Sequence, residues 1–205
     1  EMSVGSDGPR TTIYLDSTAP PLSSLTLGAT PTEAGRVGIL DGASLVVEDA
    51  ITVGAGGQGL LECLGGNLTA GSLTVGQGAS ASGKVLIDGG TLDVMEIAKG
   101  NGDAKLSMLS GQLRARSVAF GWEQAGGTWS LPVDGSNSQV MGSYSLDKKA
   151  LLRFTITTPN ADEVTFGALT VQGPSTLRGT IAIDTPGGLN LTKETQVILM
   201  IAESF

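Results

Sequence analysis

The chain has 205 residues, with 12 basic and 20 acidic side chains for a formal charge of −8, one cysteine and no histidine. That charge repels a phosphate backbone and removes nucleic acid from the expected partners, and without histidine neither Ser-His-Asp nor Cys-His catalysis nor an imidazole metal site can be built. Glycine is abundant at 31 residues and aromatics scarce at 4%, but an apolar share of 40% is too high for a disordered chain.

Residues 1–24 carry Ser, Gly, Thr and three prolines around one strand candidate, Thr11–Leu15, and read as an extended segment that caps the first coil. From 25 to 121 the apolar residues recur in register. One column is Val37, Leu61, Val85, Leu106; the next Ile39, Cys63, Ile87, Met108; the next Leu45, Leu68, Leu92, Leu113. The remaining three are Val47, Ala70, Val94, Ala115; then Leu25, Ile51, Leu73, Ile97, Val118; then Leu27, Val53, Val75, Lys99, Phe120. Within each copy the columns fall into three pairs with one residue between partners, the period of a strand with one buried face. A repeat of roughly 21 to 24 residues built this way is one coil of an all-β parallel solenoid with three strands per coil.

Beyond Gly121 the register fades. Residues 122–205 are expected to form an irregular loop, rich in turn formers at 134–138, and then less regular C-terminal β coils or a cap. The strand candidates there are 150–157, 163–171, 175–184 and 196–202, with a separate β-sandwich as the alternative. The longest apolar run, 197–202, is far short of the roughly 20 residues that span a bilayer, so no membrane span is expected. No signal peptide is visible, and because the last residues are strand-like with no turn behind them, the natural chain is expected to continue past Phe205.

The phrases Ser72-Leu73-Thr74-Val75-Gly76, Leu64-Gly65-Gly66-Asn67-Leu68 and Asp88-Gly89-Gly90-Thr91-Leu92 resemble the LTVG and GG-x-L repeats of autotransporter-associated β-strand proteins. The likeness is close over 25–121 and loose beyond 144. It implies a right-handed parallel β-helix, export, and a place outside the cell or on its surface. It brings no catalytic residues.

Cys63 lies in an apolar column and reads as a small buried hydrophobe. Asp88, Asp93 and Glu96, with Lys99 and Lys105, are the carboxylates and amines from which a polysaccharide lyase or hydrolase site would be assembled; their outward register favours solvation instead. Lys99 breaks an apolar column and is expected to snorkel to water. Residues 134–138 have oxygen ligands that suit calcium but lack an EF-hand's later Glu, so a plain turn is expected and neither metal nor cofactor is assigned. Trp122 and Trp129 are candidates for stacking on a sugar ring or for filling a wider interior. Val197, Leu199 and Ile201 mark a nearly uncharged terminal strand suited to assembly. The expected function is a structural, non-catalytic, exported solenoid that associates with itself in a fibre, layer or adhesive stalk. A glycan-binding adhesin that contacts surface polysaccharide is the alternative, and an enzyme the weaker one.

Overall fold

The computed structural model describes residues 1–5, 10–132, 134, 136–160, 163–188 and 198–204. Among them every strand pairs in parallel except in one hairpin, where Glu163–Phe166 runs antiparallel to the end of Tyr144–Asn160. The architecture is an all-β solenoid. Each coil has three faces: Gln58–Leu64, for example, makes the first, and the bent strand Asn67–Val75 makes the second and third. In a later coil the bend separates the two as Gln112–Arg114 and Ser117–Val118.

Because strand side chains alternate, parallel pairing without slippage puts like columns on top of each other. Val37 pairs with Leu61, Leu61 with Val85 and Val85 with Leu106; Leu45, Leu68, Leu92 and Leu113 stack likewise. All eight are at most 3% exposed, so the expected inward faces are correct. The 35–54 copy matches the others less well because its corner holds two residues, Glu48 and Asp49, where the next coil has only Gly71, a one-residue bulge. Lys99 pairs with buried Val75 but is itself exposed, its long stem carrying the ammonium out to water.

The stack extends further than the legible repeat. Upstream, Met2–Val4 pairs with Leu22–Leu27, and Thr11–Leu15 pairs with Ala34–Leu40, placing Ile13 on Val37 and Leu15 on Ile39. Residues before Leu25 therefore supply rungs of the solenoid itself. Downstream, Trp122–Ser130 stacks on the coil before it, with Gln124 on Met108 and Trp129 on Leu113, and Val140 sits on Val118. Tyr144–Asn160, Leu169–Leu177, Thr180–Asp184 and Met200–Ser204 continue the same sheet, which rules out a separate sandwich. One third-face column accordingly runs Met2, Leu25, Ile51, Leu73, Ile97, Val118, Val140, Val171, Ala202.

Glycine fixes one recurring corner. Gly28, Gly54 and Gly76 have φ of 63°, 73° and 65°, and a Cβ on Gly76 would lie 2.3 Å from the Asp103 carbonyl oxygen on the next rung. Gly42 has a φ of 76° but open space around it. Gly42→Ala is expected to cost about 1 kcal/mol from backbone conformation alone, whereas Gly76→Ala adds a backbone clash and should cost ~3 kcal/mol. Urea unfolding of the two variants measures the difference.

Candidate functional site

Trp122, Trp129 and Tyr144 form one cluster inside the solenoid. The ring centroids lie 5.4 to 5.5 Å apart, and Trp129 meets both neighbours edge-on. The Trp129 indole N–H donates to the Ala115 carbonyl at 3.2 Å. Gln124, in a column held elsewhere by Ile39, Cys63 and Ile87, is satisfied by three hydrogen bonds: it accepts from the Tyr144 hydroxyl at 2.7 Å and donates to the carbonyls of Gly127 and Leu151, each at 3.0 Å. Trp129 is 0% and Trp122 5% exposed. Neither presents a ring face to a sugar, so the proposed glycan stacking on Trp122 and Trp129 is corrected to a packing role: large rings fill the interior where the columns change composition.

Cys63 is fully buried, and burial pushes its thiol up to about 12 from the ordinary 9.0. Native protein is expected not to react with a thiol reagent at pH 8, and urea-unfolded protein to react fully. The folded state keeps a proton that the unfolded chain loses above pH 9, so stability is complete below that value and falls as pH rises towards 12. Cys63→Val should remove this part of the alkaline loss in melts followed from pH 8 to 11.

The carboxylates considered for catalysis do not converge. Asp88 is exposed and accepts from the Ser110 hydroxyl at 2.9 Å; Glu96, Lys99 and Lys105 are exposed; and Asp93 lies 3.6 Å from Arg114. Among the described residues no group of three or more Asp, Glu or Cys side chains has metal-binding geometry. Of the 134–138 segment, Gly135 lies outside the described residues, and Asp134 bonds to neighbouring protein groups. Asp134 accepts from the Ser136 amide at 3.0 Å and from its hydroxyl, and Arg116 donates to it at 2.8 Å. The Ser136 bonds, and then the Arg116 charge, hold the carboxyl below its usual range.

Two surface features were not anticipated. One is the end of the stack. Thr180–Asp184 places Ile181 on fully buried Leu152 and Ile183 on fully buried Phe154, so both isoleucines point inward; with no described rung above them they are 44% and 51% exposed. Of the residues expected at an assembly edge, Leu199 packs partly against the core, Ile201 faces outward beside Thr170 and is 55% exposed, and Val197 lies outside the described residues.

The other feature is a groove of about 630 Å³ along the bend between the second and third faces. Its floor holds the nearly buried Ala70, Val94, Ala115 and Leu131. Three of the chain's six arginines, Arg114, Arg116 and Arg153, line it. A second, smaller groove on the first face contains Arg36, but that guanidinium is already committed to Glu62 and lies over the Tyr14 ring. Among the described residues no helix is long and apolar enough to cross a membrane. No family model, no curated protein and no solved structure matches this chain.

Proposed function

We propose that the chain is a structural, non-catalytic, exported solenoid that builds a cell-surface fibre, layer or stalk by stacking end to end with copies of itself. The observation that carries this reading is the pair Ile181 and Ile183, core residues by register that remain open to solvent on the last described rung. Apolar surface and strand edges of this kind, unpaired among the described residues, favour the addition of another rung. The N-terminal rung of a second copy fits, because Met2–Val4 belongs to the same third-face column that ends in Ala202, and Met2, Ile13 and Leu15 are only partly covered. A contact between two different ends is heterologous and does not close on itself, so it propagates into a filament. Placement at the cell surface rests on the repeat resemblance.

Light scattering and electron microscopy over a concentration series test the proposal. The expected result is rods of constant width that lengthen with concentration, and monomers for Ile181→Lys/Ile183→Lys with an unchanged melting temperature. Wild-type protein that stays monomeric throughout the series, or a double variant that polymerises as wild type does, overturns it.

A further inference from the structure

We infer that the arginine-lined groove is a binding site for an extended, carboxylated polysaccharide lying along the rod axis. This does not depend on end-to-end assembly.

The shape of the groove comes first. Its lining is drawn from Asn67–Val75, Thr91–Lys99, Gln112–Arg114, Trp122–Ser130, Tyr144–Asn160 and Thr180–Asp184, which stack in that order. Six rungs at a strand spacing of about 4.8 Å make a channel on the order of 24 Å long, a length suited to a polymer rather than a single ion.

Arg114 and Arg153 occupy one outward ladder, with Ser130 between them, so their Cα atoms stand about 10 Å apart along the axis. Among the described residues each arginine has a single ion-pair partner. Arg116 meets Asp134 at 2.8 Å, whereas Arg153 and Asp184 are 3.4 Å apart and Arg114 and Asp93 3.6 Å apart, with no hydrogen bond formed in those two pairs. A guanidinium carries five N–H donors in a fork that matches a carboxylate, and most of them are unused here. All three side chains are between 43% and 57% exposed, so a ligand can reach them.

The choice of polymer rests on the direction of the groove. An extended acidic peptide gains affinity by adding to a free strand edge, but of the strands this groove crosses all except the last, Thr180–Asp184, already pair on both sides. What it offers is an apolar floor with Met95, 63% exposed, on the lining, and three arginines, two of them two rungs apart on one ladder. Sugar rings bearing regularly spaced carboxylates present C–H faces to the one and acceptors to the other. The rest of a chain at −8 repels polyanions, which directs them to this groove.

Polygalacturonate, a neutral glucan and polyglutamate of similar length, and monomeric galacturonate are titrated against the full chain by calorimetry at two salt concentrations. Polygalacturonate alone is expected to bind, more weakly at high salt, and Arg114→Ala/Arg153→Ala should weaken it by about tenfold or more. Met95→Glu, on an exposed side chain, should weaken it independently, which keeps the test open if the arginine pair disturbs folding. Lys84→Ala/Lys105→Ala, which removes the basic ladder on the first face, should leave binding unchanged. Equal binding of the glucan, of polyglutamate or of the monomer overturns the proposal, as does no binding of polygalacturonate or an equal loss in the lysine variant.

Discussion

Leu92→Asp is expected to abolish the folded rod. Leu92 is 0% exposed and stacked between Leu68 and Leu113, so a carboxylate there is buried among aliphatic side chains. Removing the leucine forfeits about 2 kcal/mol of apolar burial, and an unpaired buried carboxylate costs several kcal/mol more or forces its own protonation. Against a total stability on the order of 5 to 15 kcal/mol, the sum is enough to prevent accumulation of soluble protein. The adjacent residue is the control. Asp93 points outward, and its 3.6 Å pairing with Arg114, both side chains about half exposed, is worth less than about 1 kcal/mol. Asp93→Ala should express and melt almost as wild type does, as measured by soluble yield and circular dichroism.

Trp129→Ala should destabilise the chain by about 3 to 5 kcal/mol, the range for deleting a large buried aromatic. The ring lies between Leu113 and Leu152 in one column and touches Trp122 and Tyr144 in the cluster, so its loss opens a cavity shared by two faces. Phenylalanine variants separate packing from hydrogen bonding. Trp129→Phe leaves the Ala115 carbonyl without its donor, whereas Trp122→Phe deletes an indole N–H that has no partner among the described residues. The first should therefore lose more stability than the second, by about 1 kcal/mol, in urea unfolding followed by near-ultraviolet dichroism.

The fold was legible wherever the columns kept one kind of side chain. Leucine on leucine at 45, 68, 92 and 113 is visible without coordinates, and it stacks as expected. From Trp122 onward the strands go on stacking, with a register shift between Gln124 and Gly126, but the column residues change to Gln124, Trp129 and Tyr144, a polar group and bulky rings that satisfy one another only in three dimensions. An alignment of apolar residues could not follow that exchange. Of the first rungs, Thr11–Leu15 was legible as a strand but not as part of a column, and Met2–Val4 is too short to show a period, although Gly5 behind it stands in register with Gly28 and has a φ of 105°. The groove arginines are up to 39 positions apart and become neighbours only through rung stacking. For Ile181 and Ile183, the register with Leu152 and Phe154 was the missing signal; without it their alternation looked like that of any half-buried strand.

A single solenoid continues from the coils before Trp122 into Tyr144–Asn160, and a spin-label distance tests that continuity most directly. Val46 and Arg153 stand on one outward ladder, with Thr69, Asp93, Arg114 and Ser130 between them. Five strand spacings put the two sites about 24 Å apart. Labels on Val46→Cys and Arg153→Cys, diluted with unlabelled protein and with buried Cys63 left unmodified, should give one narrow distance distribution near that value. A broad distribution, or one centred beyond about 40 Å, would mean that the stack is interrupted and would contradict the continuous rod.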